Sequence, residues 1–103
     1  MSTEKRTTIE AQARTDGLRL LRTINDTQAH GEEGARAYPP RAAQEAGLEV
    51  SSDRYQDAMA YLVERAALLG DTTMISDDDV GDQHPHGYLS YFFTRRALVM
   101  LGG

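Results

Sequence analysis

Between Ser51 and Gly70 the apolar residues Tyr55, Ala58, Met59, Leu62, Val63, Ala66 and Leu69 recur at gaps of three and four. That spacing places all seven on one stripe of an α-helix. Ser52 is positioned to cap the start, because a serine oxygen accepts from the free amides of a first turn. Asp53 adds negative charge at the positive end of the helix dipole. Gly70 is suited to the left-handed conformation that closes the other end. Asp53, Arg54, Gln56, Asp57, Tyr61, Glu64 and Arg65 fall on the opposite side. The pattern predicts a helix over 52–69 with one dry face and one face free to meet a partner.

Upstream, Leu18, Leu21 and Ala29 share a helical face, with Leu20 and Ile24 beside them. Asp16 is suited to cap this segment, and Gly31 and Gly34 stop it, which predicts a helix from Asp16 to about His30. Residues 1–15 are polar, with Ile9 and Ala13 four apart; they form either a tail or an extension of that helix. Residues 31–37 read as a polar loop. Tyr38-Pro39-Pro40 then opens a short helix, since proline in a first turn loses no hydrogen bond and has its φ already set. Ala42, Ala43 and Ala46 allow close packing, and Gly47 stops the helix. Leu48 and Val50 tuck the turn toward the core. A short alanine-rich helix, a glycine, an apolar residue and a capped second helix is the sequence form of a helix-turn-helix.

After Gly70 the period changes from helical to alternating. Thr72, Thr73, Met74 and Ile75 have strand character. Residues 76–87, SDDDVGDQHPHG, read as a loop from their Asp, Gly and Pro content. The aromatic run YLSYFF, residues 88–93, reads as a second strand: Leu89, Tyr91 and Phe93 point one way, Tyr88, Ser90 and Phe92 the other. Thr94 caps a last helix over 95–101. The expected fold class is mainly α with a small β-hairpin (α+β). It forms one domain over 16–103, consistent with a chain of 103 residues.

The order helix, helix, helix, hairpin, helix, together with YLVERAALLGDTTMI and YFFTRRALVML, resembles the winged helix-turn-helix regulators of the MarR-like and PadR-like groups. The resemblance spans residues 16–101 and is one of pattern. The glycine that these families often carry just after the threonine-capped turn is replaced here by Arg96 or Ala97, and the wing is acidic where a DNA-contacting wing is usually basic. The resemblance implies a small transcription regulator that binds double-stranded DNA, as a homodimer, with the 52–69 helix in the major groove. Ile9 and Ala13, or Leu98, Val99 and Leu101 of the last helix, would supply the dimer contact.

Charge bears on that implication. The net charge is −5, and it lies entirely in the second half: residues 48–103 hold four Arg against nine acids, while residues 1–47 balance seven against seven. A nucleic-acid binder usually carries a basic patch, although a few local cations can dominate near a phosphate chain. Cysteine is absent, which excludes disulfides, thiolate chemistry and cysteine-based metal sites. No apolar run is long enough to span a bilayer, and the N-terminus lacks a secretory apolar stretch; the expected location is cytoplasmic, with no membrane partner.

The candidate DNA-reading residues are Ser51, Ser52, Arg54, Gln56, Asp57 and Tyr61. Arginine binds guanine in bidentate fashion and glutamine does the same with adenine. Arg36 and Arg41, flanking the short helix, are candidate phosphate contacts, and Arg95 and Arg96 are further cations near the wing. The plainer reading of the same residues is a solvated helix face with ordinary surface arginines. Asp77, Asp78, Asp79, Asp82, His84 and His86 lack calcium-loop spacing, and a solvated loop is the simpler reading, so no metal or cofactor is expected. Tyr88, Tyr91, Phe92 and Phe93 could stack on bases, but core packing explains them better. No phosphate loop, nucleophile elbow or H-E-x-x-H is present, and His30 has no evident catalytic partner, so an enzyme is not expected. The alternative function is a winged-helix protein-interaction module whose acidic wing meets a basic partner.

Overall fold

A computed structural model describes residues 2–71 and 90–102. Among these residues the fold is mainly helical with a small three-stranded antiparallel sheet. Helix α1 runs from Ser2 to Ile24 and passes into a π-helical turn over Asn25–Ala29. Strand β1 is Arg36–Ala37, helix α2 is Pro39–Glu45 and helix α3 is Asp53–Glu64. Strands β2 (Leu68–Gly70) and β3 (Tyr91–Phe93) precede helix α4, Arg95–Met100. The strand order is β1-β3-β2, with Arg36 opposite Phe92 on one side and Leu68 opposite Phe93 on the other.

The buried stripe of α3 is Tyr55, Ala58, Met59 and Leu62, as its spacing predicts, and Ser52 Oγ accepts from the Tyr55 amide at 3.2 Å. These side chains join Leu20, Leu21 and Ile24 of α1, Ala42 and Ala43 of α2, and Tyr91 and Phe93 of β3 in one core. Gly47 turns the chain between α2 and α3 at φ +76°, and Leu48 behind it is buried. A backbone without a Cβ adopts that φ at no steric cost.

Four expectations are corrected. Helix α1 begins at Ser2 rather than at Asp16: of the two outcomes expected ahead of Asp16, residues 2–15 form the helix extension, and Asp16 lies in the helix interior rather than at its cap. Its last turns widen where Thr23 and Thr27 hydroxyls donate to the carbonyls of Arg19 and Thr23, at 3.0 and 2.7 Å; such back-bonding bends helices. The loop expected over 31–37 contains strand β1. The α3 helix stops at Glu64, not near Leu69: Ala66 takes φ +58°, Ala67 and Leu68 turn inward, and Ala66 and Leu69 are left exposed. The segment expected to end the helix instead contains strand β2, Leu68–Gly70. The strand expected over 72–75, the acidic loop over 76–87 and the residues Tyr88 and Leu89 lie outside the described residues.

Thr94 ties the strands to the helices. Its hydroxyl donates to the Ala66 carbonyl at 2.6 Å, with the Ala67 carbonyl at 2.9 Å, and accepts from the Ala97 amide at the start of α4. At the end of β2, Asp71 is fully buried and meets Arg36 Nη2 at 3.1 Å and Ser90 Oγ at 3.3 Å.

Burial pushes the Tyr55 phenol from its ordinary 10.0 up to about 12. The fold thus favours the neutral phenol. That contribution is complete below pH 10 and is lost as pH rises from 10 toward 12. Urea unfolding across this alkaline range should show stability falling more steeply for the wild type than for Tyr55→Phe, which has no phenol to ionise.

Candidate nucleic-acid interface

The exposed side of α3 divides into two parts. One flank faces α1 and carries Arg54 and Tyr61. The outward part carries Asp53, Gln56, Asp57 and Glu64, all exposed, with Ala60 half-buried among them.

Arg54 is not free on this helix. Its Nε and Nη2 donate to the two carboxylate oxygens of Asp16 on α1, at 2.9 and 2.7 Å. The Asp16 side chain is only 2% exposed, whereas that of Arg54 is 58% exposed. Gln12 Nε2 donates a further bond to Asp16 at 3.1 Å. The Arg54 hydrogen bonds hold the Asp16 carboxyl below its ordinary range against the opposing effect of burial, with help from the Arg54 charge and the Gln12 bond. The same hydrogen bonds raise the affinity of Arg54 for its proton. A bidentate guanidinium–carboxylate pair of this kind matches the fork geometry that a guanine edge would need. The pair therefore occupies the atoms that base reading would use.

Tyr61 is likewise committed to packing. A Cβ placed on Gly17 of α1 would sit 2.9 Å from Tyr61 Cδ2, so the glycine is what lets the two helices approach here. On its other side the ring is covered by the Arg65 guanidinium, 3.8 Å from the ring centre. Ser52 spends its oxygen on the helix cap, while Ser51 is exposed ahead of it. Of the six α3-associated candidates, Ser51, Gln56 and Asp57 have side chains turned outward without such commitments.

The two arginines from the short-helix region meet elsewhere. Arg36 and Arg41 line a shallow pocket of about 420 Å³ with Thr27, Gln28, Tyr38 and Glu45. Gln28 holds Tyr38 there at both backbone groups, its Oε1 accepting from the amide at 2.6 Å and its Nε2 donating to the carbonyl at 3.1 Å. Arg36 is bound to the buried Asp71 and lies 5.8 Å from the Phe92 ring centre, so it serves the sheet rather than acting as a loose surface cation. Arg41, Arg95 and Arg96 are exposed.

The outward face of α3 is thus acidic, with Asp53, Asp57 and Glu64 and no arginine among them. Sequence spacing alone could not find the Asp16–Arg54 pair, because its partners are 38 positions apart. Among the described residues there is no group of three or more His, Asp or Glu arranged to hold a metal. His84, His86 and the Asp residues between 77 and 82 lie outside that set. No helix among the described residues is long and apolar enough to cross a membrane.

No protein-family model matches the sequence, and comparison with curated proteins and with solved structures finds no match to it.

Proposed function

We propose that the chain is a winged helix-turn-helix and that it binds double-stranded DNA through the outer face of α3. The observation that carries this reading is topological. The order α1, β1, α2, α3, β2, β3 with sheet order β1-β3-β2 supports a wing on the β2–β3 side, and Asp53, Gln56 and Asp57 in the first turns of α3 are exposed. In such a fold the residues near the start of the second helix of the pair reach base edges. Gln56 suits adenine and Asp57 suits the amino group of cytosine. Arg41, Arg95 and Arg96 supply phosphate contacts. Arg54 contributes by fixing α3 against α1 and not by reading a base.

Fluorescence anisotropy with duplexes selected from a random pool tests this. Binding should weaken with salt at a log–log slope of about −2 to −3, the value expected for two or three neutralised phosphates. Arg41→Ala should weaken selected and random duplexes alike and make the slope shallower by about 1, whereas Gln56→Ala should weaken the selected duplex more than the random one. Absence of binding at low salt would remove the DNA reading.

One observation favours a second reading. The outward face of α3 presents Asp53, Asp57 and Glu64, which repel phosphate and suit a basic protein surface. Capture from native lysate with nuclease present separates the two: a basic partner retained after nuclease, with no DNA recovered, supports a protein-interaction module.

A further inference from the structure

Gly17 lets α1 and α3 approach closely, and upstream of that point on α1 an open groove of about 560 Å³ lies between the two helices. Its floor is apolar: Ile9 and Ala13 come from α1, Ala60 and Tyr61 from α3. Ile9 is 48% exposed, so the floor is uncovered at that end. Three carboxylates flank the floor, Glu10 on α1 and Asp57 and Glu64 on α3, and all are exposed. The ion pairs among the described residues are Asp16–Arg54 and Asp71–Arg36, so none of the three has a counter-charge there. Arg65 follows Glu64 but turns onto the Tyr61 ring, 3.8 Å from its centre, and its Nη1 donates to the Tyr61 carbonyl at 3.4 Å. Arg14 adds a cation to the α1 wall.

The geometry points to a basic amphipathic helix of another protein as the occupant of this groove. The inference rests on the protein-interaction reading and specifies where the partner sits and what it carries. Asp57, Ala60, Tyr61 and Glu64 stand at i, i+3, i+4 and i+7, one stripe along α3 with acids at its ends and an apolar middle. Seven residues of helix span roughly 10 Å. A helix laid alongside meets both acids with Lys or Arg seven positions apart and covers the floor with the apolar residues between them. Glu10 on the facing wall takes a third cation, and Arg14, four positions on, takes an acid, which favours one direction along the groove. The same carboxylates repel phosphate, so neither a duplex nor an anionic lipid surface suits this seat. A second copy does not suit it either, because no two Lys or Arg of this chain stand seven positions apart.

Fluorescence anisotropy of the full chain with labelled peptides of about eighteen residues, five helical turns, tests it. The first peptide carries leucines at helical spacing flanked by lysines seven positions apart. The second has the same residues in scrambled order, and the third has glutamate for each lysine. The first should bind with a Kd of about 1–100 µM, and the others about tenfold more weakly or worse. Ile9→Glu, Ala60→Arg and Glu64→Lys should each weaken the first peptide by about tenfold. Asp53→Lys, an equal change of charge on the exposed front of α3 outside the groove, should alter it by less than about twofold. Circular dichroism provides the folding check. Absence of binding overturns the proposal, as does equal binding of the scrambled peptide. A two-copy species in sedimentation that Ala60→Arg abolishes also overturns it, since a second copy would then fill the groove. If a basic partner captured from lysate is held equally well by Ala60→Arg and lost with Asp53→Lys, the groove is wrong while the protein-interaction reading stands.

Discussion

Replacing Leu62 with alanine should lower unfolding stability by about 2–5 kcal/mol, the range found when a buried leucine is truncated and the cavity only partly collapses. Leu62 is fully buried on the inward face of α3, in the cluster that includes Leu20, Leu21, Met59 and Phe93. Domains of this size have a total margin of about 5–15 kcal/mol, so the variant should lose a substantial part of its cooperative transition. In urea the midpoint should fall with little change in slope. Leu69→Ala is the matched comparison. Leu69 is 51% exposed beyond the end of α3, and its truncation should change stability by no more than about 0.5 kcal/mol. A cost below 1 kcal/mol at Leu62, or similar costs at both leucines, would mean that the helix faces are assigned wrongly.

Arg54→Ala should be the second most damaging change, and its damage should depend on pH. The substitution leaves the Asp16 carboxylate, 2% exposed, with the Gln12 amide as its remaining side-chain partner. A buried charge stripped of its counter-charge is far more costly than an exposed one. Asp16→Asn should cost less, because the deserted Arg54 is already well exposed and water can solvate it. At pH 7 we expect Arg54→Ala to lower the melting temperature by about 5–10 °C, a substantial shift for a domain of this length. In the wild type the Asp16 pKa is depressed by the pair. Its contribution is therefore complete above the ordinary carboxylate value of 3.8 and fades as pH falls through the depressed value. The gap between wild type and Arg54→Ala should close in acid. Melting curves at pH 7 and in acid check this, and a gap independent of pH would assign the loss to the packing of the arginine stem. The variant also guards against misreading DNA experiments, because reduced binding by Arg54→Ala would reflect a loosened α3.

The parts of the fold that could be read from the chain are those governed by neighbours in sequence. The buried stripe Tyr55, Ala58, Met59 and Leu62, the Ser52 and Thr94 caps and the glycine turn at Gly47 all follow from local spacing and backbone preference. What could not be read depends on distant groups. The apolar run Ala66-Ala67-Leu68-Leu69 continues a helical period on paper. In the fold, Thr94, 28 positions away from Ala66, takes the Ala66 carbonyl, and the segment becomes a strand. Strand β1 is two residues long, too short for any alternation to show. Residues 2–15 are polar enough that a tail and a helix extension read alike, so Asp16 resembled a cap although it lies inside α1.

The candidate site was legible to a smaller degree. Gln56, Asp57 and Ser51 are turned outward as expected. The cations Arg54 and Arg36 are drawn to Asp16 and Asp71, and Tyr61 fills the space left by Gly17. Helical spacing tells which residues share a side of a helix, but not which neighbouring element will claim that side.

The knot of Arg36, Asp71 and Ser90 has a consequence for how this chain can change over time. The Asp71 amide donates to the Ser90 carbonyl at 3.0 Å, so the stretch joining them begins and ends at one fastened point. Arg36 on β1, Asp71 after β2 and Ser90 before β3 are therefore constrained to change together, because a buried carboxylate left without its counter-charge is costly.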